Sequence, residues 1–181
     1  MNLDIVGLTG FKGAGKTTIA KELDRYCVSF ADRIREVAKA SFGLTDKQLT
    51  NRQLKEAPDD YWDETPRTIL QKIGMMFREQ FGKDFWIRAL EKHLRVLHNE
   101  SGYREFVIDD VRFPNEATWV QRQGAVIGLN RPGVELDSDH PTETKMADHW
   151  DEMTNATVRN DAKPGIVADR VLQQVSSCTS T

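Results

Sequence analysis

Residues 10–17 read Gly-Phe-Lys-Gly-Ala-Gly-Lys-Thr, and the apolar run Ile5-Val6-Gly7-Leu8 leads straight into them. A buried strand that opens onto a glycine-rich turn ending in Lys-Thr is the phosphate-loop pattern G-x-x-x-x-G-K-[ST] in its structural context. Gly10, Gly13 and Gly15 permit backbone angles and a closeness of approach that a Cβ would obstruct, so consecutive amide N–H groups can turn inward around phosphate oxygens. The nucleotide cradle expected from this pattern is Gly10, Lys12, Gly13, Ala14, Gly15, Lys16, Thr17 and Thr18. Lys16 is placed to reach the β- and γ-phosphates of ATP and Thr17 to offer its hydroxyl to Mg²⁺. The helix begun by Thr17-Thr18-Ile19-Ala20 points its positive end at the same phosphates.

With 181 residues, the chain fits one domain and leaves no room for a second catalytic module, so both substrates must share one core. A formal net charge of −3 gives no global attraction to a nucleic acid polymer or an anionic membrane, and neither is expected as a partner. Cys27 and Cys178 stand far apart without a C-x-x-C partner, which suits reduced thiols rather than a disulfide framework or a zinc site. No basic leader precedes the first strand and no segment approaches 18 uninterrupted apolar residues, so a cytoplasmic protein is expected.

Strand and helix alternate along the chain. A helix is expected over about 15–26, a strand over 27–31, and a helix through Ile34, Val37, Ala38 and Phe42. Residues 43–65 are polar and weakly patterned, which reads as a mobile insertion. Thr65 as N-cap and Pro66 in the first turn open a helix carrying Ile69, Leu70, Ile73, Met76 and Phe77, closed by Gly82. A further helix runs over about 84–98, then a central strand Phe106-Val107-Ile108 ending on Asp109-Asp110. A helix near 114–123 with Gly124 as its C-cap, a strand over 125–129, a flap over 131–149, a short strand at Thr157-Val158 and a helix over 166–175 complete the pattern. The fold class is therefore α/β: a three-layer phosphate-loop protein with a central parallel sheet flanked by helices. A helical acceptor-binding region is expected over about 43–100 and a small lid over about 131–149.

A carboxylate at the end of a buried strand beside a phosphate loop can hold Mg²⁺, directly or through water. Of the two candidates, Asp110 is preferred and Asp109 is read as partly structural. Moving a phosphoryl group between two anions also demands cations, and Lys16, Arg112 and Arg131 are the catalytic candidates. Arg67 and Gln71 stand four apart on one helix face, where a guanidinium can hold a phosphate while an amide reads a base edge, and Arg78 is close to the same face.

These residues resemble the bacteriophage deoxynucleoside monophosphate kinases, within the wider nucleoside monophosphate kinase group. The resemblance rests on the loop at 10–17, Ser29-Phe30-Ala31-Asp32, Thr65-Pro66-Arg67 with Leu70-Gln71 and Gly74, and Phe81-Gly82-Lys83-Asp84-Phe85-Trp86. It also rests on Asp109-Asp110-Val111-Arg112-Phe113-Pro114-Asn115-Glu116 and Asp139-His140-Pro141-Thr142-Glu143. It implies transfer of the γ-phosphate of ATP to a deoxynucleoside 5′-monophosphate, with Mg²⁺ as metal and the host cytoplasm as location if the chain is phage-encoded. By the same resemblance Asp32, Arg67, Gln71, Arg78, Asp84, Trp86, Arg112 and Glu116 belong to the monophosphate side, with Trp86 able to stack on a base. Asn160 falls where related kinases pack the adenine. The oligomeric state is left open, with a homodimer among the alternatives.

No histidine is needed as a base, because the acceptor is already an anionic phosphate oxygen; positioning and charge neutralisation carry the transfer. Two rival readings share the loop. A kinase of dephospho-coenzyme A or a sugar would lack the Thr-Pro-Arg and Asp-Val-Arg-Phe-Pro-Asn-Glu stretches, and a nucleotide-hydrolysing switch would turn over ATP without an acceptor.

Overall fold

β1 (Asp4–Thr9) is buried along almost its whole length, as a strand covered on both faces must be. The computed structural model describes residues 3–135 and 141–179, with backbone only at 141–143 and 145. In sequence order the remaining elements are α1 (Lys16–Glu22), β2 (Tyr26–Val28), α2 (Phe30–Phe42), α3 (Asp46–Thr50), α4 (Arg52–Glu56), α5 (Pro66–Phe81) and α6 (Phe85–Ser101). They continue with β3 (Glu105–Ile108), α7 (Pro114–Gln121), β4 (Gly124–Asn130), α8 (Pro141–Asp148), α9 (Trp150–Met153), β5 (Ala156–Arg159) and α10 (Pro164–Thr179). The chain forms two compact units, Met1–Ser29 with His93–Thr181, and Phe30–Lys92.

The first unit is built on a five-stranded sheet in the order β2-β3-β1-β4-β5, and every pairing is parallel. Val6 and Leu8 of β1, with Val107, Ala125, Ile127 and Leu129, pack on one face against Ile19, Ala20 and Leu23 of the α1 segment and Val167, Ala168, Val171 and Val175 of α10. On the other face Gly7 leaves the space that Val111 and Val120 fill: a Cβ there would lie 2.9 Å from Val111. The expected three-layer α/β architecture is the one observed.

The second unit is helical. Thr65 caps α5, its hydroxyl accepting from the Thr68 N–H at 3.1 Å, and Pro66 occupies the first turn. Gly74 of α5 sits 3.4 Å, from where its Cβ would be, below Ile34 of α2, so a small residue there lets the two helices approach. Residues 43–65 are not an unpatterned insertion. They carry α3, closed by a reciprocal cap between Thr45 and Gln48, and α4, capped by Asn51. Five-residue helices are too short to display a 3.6-residue period, so capping alone specifies them. The helical unit also opens earlier than about 43, because α2 packs on α5.

Three other boundaries differ from the sequence expectation. α1 stops at Glu22, and β2 ends at Val28 because Phe30 already begins α2. Gly124 is not a helix C-cap but the first residue of β4, opposite Ile5. A Cβ at Gly124 would lie 2.1 Å from the Ile5 carbonyl oxygen, so the requirement for glycine comes from close strand approach. Gly124→Ala is accordingly expected to destabilise the protein by about 2–3 kcal/mol, through backbone displacement at the start of the β1–β4 ladder. Urea denaturation followed by circular dichroism measures this, and an unchanged midpoint would show that the ladder has room to spare.

Candidate functional site

The phosphate loop leaves the carboxyl end of β1 and re-enters regular structure at Lys16. Gly13 and Gly15 both have φ of 92°, in the left-handed region that side chains with a Cβ avoid. Gly10 (φ 149°) is confined by space as well, since a Cβ would lie 2.6 Å from the Leu129 carbonyl oxygen. The Lys16 ammonium donates to two carbonyls of its own loop, those of Gly10 and of Phe11, the latter at 3.1 Å.

Thr17 points its hydroxyl at the sheet's other acidic terminus. Its Oγ1 donates to Asp109 Oδ2 at 2.6 Å. The acid that takes this hydrogen bond is Asp109, the neighbour of the preferred Asp110. The reason lies in the ladder. Asp109 is the first residue beyond β3, and its N–H still donates to the Val28 carbonyl at 3.3 Å, which fixes its backbone. Val111 N–H is held in turn by the Leu8 carbonyl at 3.2 Å, so the turn carrying Asp109 and Arg112 is an extension of the sheet. The signal available in the sequence was the position directly after the last apolar strand residue.

Arg131 and Asn160 approach the loop from the ends of β4 and β5. Arg131 Nη1 donates to the Gly13 carbonyl at 3.3 Å, from an otherwise exposed position. Asn160 Nδ2 donates to the Ala14 carbonyl at 2.7 Å, while its own N–H donates to the Asn130 carbonyl at 2.7 Å. Asn160 thus braces the loop backbone. Beside it, Arg170 donates to Asp161 at 2.8 Å and holds that carboxyl below the usual carboxylate range.

Two residues expected on the monophosphate side are buried and hydrogen-bonded to backbone. Glu116 is buried, with 1% exposure, and its Oε2 accepts from the N–H groups of Arg112 at 2.9 Å and Phe113 at 3.1 Å. It closes the first turn of α7 and so shapes the turn that bears Arg112. Trp86 is 2% exposed and donates its indole N–H to the Gly74 carbonyl at 3.0 Å, with its ring against Phe77 and Phe85. That burial leaves no ring face for a base.

The helical unit holds the remaining candidates. Arg67, Gln71 and Arg78 lie along α5, with Arg67 and Gln71 one turn apart and Gln71 and Arg78 two turns apart. Arg67 Nε is paired with Glu56 at 2.6 Å, and Arg78 donates to the Lys83 carbonyl at 3.3 Å. Asp84 is exposed just before α6, and Asp32 pairs with Arg35 within α2. Asp139 and His140 lie outside the described residues, as do the side chains of Thr142 and Glu143. Among the described residues no helix is long and apolar enough to cross a membrane.

No protein-family model matches the chain. A protein of Acanthamoeba polyphaga mimivirus, which carries the provisional name deoxynucleotide monophosphate kinase, is 37% identical over 158 residues, covering 78% of this chain and 81% of the viral one. Among solved structures, shikimate kinase from Aquifex aeolicus superposes with a TM-score of 0.49 at 12% identity, over 97% of this chain and 98% of that one. Dephospho-CoA kinase from Campylobacter jejuni gives 0.48 at 14% identity, over the whole of both chains. A parallel 2-3-1-4-5 sheet with a phosphate loop after its central strand, together with 37% identity to the mimivirus protein, makes this chain a phosphotransferase that belongs to the same family as that viral kinase.

Proposed function

We propose that the protein transfers the γ-phosphate of ATP to a deoxynucleoside 5′-monophosphate, releasing ADP and the deoxynucleoside diphosphate. The observation that carries this reading is the pairing of Thr17 with Asp109 beside Lys16, which equips the loop to take a nucleoside triphosphate with its metal. The relative's name supports the acceptor class, as do the Arg67, Gln71 and Arg78 positions on α5.

In this reading an oxygen of the acceptor's phosphate forms a bond to the γ-phosphorus as the bond to the β–γ bridging oxygen breaks, and the electron pair leaves with ADP. Lys16 leaves its loop carbonyls for the β- and γ-phosphates, and the loop N–H groups hold the remaining oxygens. Arg112 and Arg131 neutralise charge on the transferring group. Arg67 holds the acceptor phosphate after releasing Glu56, Arg78 and Asp84 serve the acceptor farther along the helical unit, and Gln71 reads the base edge. The Thr17 hydroxyl and the Asp109 carboxylate are hard oxygen donors. They suit Mg²⁺, which takes few protein oxygens and completes its shell with phosphates and water. Bound there, the ion supplies charge neutralisation on the β- and γ-phosphates. Thr17 and Asp109 orient that charge, whereas Asp110 stands outside this pair.

The deciding experiment is a coupled assay of ADP release with each deoxynucleoside monophosphate, each ribonucleoside monophosphate, dephospho-coenzyme A, a sugar panel and no acceptor. Turnover confined to deoxynucleoside monophosphates is expected. Equal turnover without acceptor would leave a nucleotide-hydrolysing switch, and turnover only with another acceptor would overturn the substrate class.

Lys16→Ala is expected to lower kcat by about 10²–10³-fold while the circular dichroism spectrum is unchanged. Asp109→Asn is expected to lower Mg²⁺ affinity and turnover by about 10- to 100-fold, and Asp110→Asn by much less; a Mg²⁺ titration of both variants ranks the two acids. On the acceptor side, losing a charge-assisted contact of about 1.5–3 kcal/mol makes Arg67→Ala raise the acceptor KM by about 10- to 100-fold with the ATP KM little changed. Gln71→Ala should instead reorder the preference among bases, which a steady-state grid of both substrates reads directly.

A further inference from the structure

Phe11, the second residue of the phosphate loop, makes its ring contact away from the loop itself. Its ring centroid lies 5.9 Å from that of Trp150, at an interplanar angle of 37°. Trp150 opens α9 and is held by the sheet. Its indole lies over Gly128 of β4, where a Cβ would come within 2.4 Å of Cζ2, and its Nε1 donates to Thr157 Oγ1 of β5 at 3.2 Å. The preceding helix is tied to the same strand that feeds the loop: the buried Thr9 hydroxyl donates to Met146 Sδ of α8 at 3.1 Å. Phe11, Val134, Ala147 and Trp150 line a cavity of about 360 Å³, so the Phe11 ring has space to move.

The backbone around Phe11 is also where Lys16 rests, since its ammonium donates to the carbonyls of Gly10 and Phe11. A phosphate that draws Lys16 away removes a cation from the two carbonyls on either side of the Phe11 Cα, in a loop where Gly13, unlike Gly10, has room around its Cβ position, the nearest atom lying 3.7 Å away on Val134. We propose that Phe11 and Trp150 are positioning residues: their ring contact sets the phosphate loop against α8–α9, and nucleotide binding shifts it. The rigid partner in this pair is Trp150, which touches two strands, and the mobile partner is Phe11. The kinetic part rests on the kinase reading above; the binding part needs only a nucleotide in the loop.

The test is indole emission during titration with Mg²⁺-ATP and with ADP, for wild type, Trp150→Phe and Phe11→Ala, together with steady-state kinetics and thermal melts. Wild type is expected to change its emission on saturation, and Trp150→Phe to lose most of that change although Trp62, Trp86 and Trp119 remain. Phe11→Ala is expected to lose it too and to lower kcat about tenfold in protein that is folded at the assay temperature, whereas Phe11→Tyr, which keeps the ring, stays within about threefold of wild type. A nucleotide response that survives in Trp150→Phe overturns the proposal. So does a Phe11→Ala variant that melts lower but turns over as wild type does, because that is a packing role alone. If Phe11→Ala fails to fold, the Trp150→Phe titration decides. A chain with a Trp150-dependent response to ATP but no transfer to any deoxynucleoside monophosphate would keep this inference and remove the acceptor assignment.

Discussion

The phosphate loop depends on β1 being the middle strand of a parallel ladder. Each of its residues from Asp4 to Thr9 is matched to β3, β4 or both, and the ladder does not stop where the strands do. The carbonyl oxygens of Val28 and Leu8 accept from the N–H groups of Asp109 and Val111, and that of Asn130 accepts from the N–H of Asn160. The residues that meet the loop are thereby placed by backbone hydrogen bonds before any side-chain contact is made. In parallel sheets the carboxyl ends of neighbouring strands lie together, so turns remote in sequence converge there by construction. That is why Thr17 at the start of α1 and Asp109, Arg131 and Asn160 just beyond three strands share one neighbourhood.

Much of this was legible in the residues because glycine spacing, apolar runs and helix caps are local. The loop at 10–17, the strand ending at Ile108, and the helix bounded by Thr65-Pro66 and Gly82 are all found as read. What was not legible depends on which atom faces which. Asp109 and Asp110 are chemically equivalent and adjacent in sequence, so which of them accepts from Thr17 depends on the strand register. Gly124 looks like a helix stop until Ile5 is placed opposite it. Residues 43–65 hide two helices because each is shorter than two turns and identifies itself only by its cap.

Glu116 and Trp86 carry a second lesson. Both belong to stretches on which the sequence resemblance rests, and both hydrogen-bond backbone: Glu116 Oε2 accepts from the Arg112 and Phe113 N–H groups, and the Trp86 indole donates to the Gly74 carbonyl. An unpaired buried backbone group costs about 1–3 kcal/mol, so a side chain that satisfies one is constrained as strongly as a ligand contact would be. A motif residue can therefore be constrained by the backbone it holds. Glu116 acts on Arg112 by fixing the turn that carries it.

The two compact units differ in how they are written along the chain. Phe30–Lys92 is continuous, while the sheet unit is split into a short opening segment and the long remainder. On the ribosome, every residue of the helical unit therefore emerges before β3 and β4, the two neighbours of β1, have been made. Ile5, Val6 and Leu8 must wait as exposed apolar chain through that interval, a window in which an unpaired strand invites association with other nascent chains. The order of synthesis thus gives the helical unit a head start and leaves the nucleotide loop, whose supporting strands arrive last, as a late product of folding.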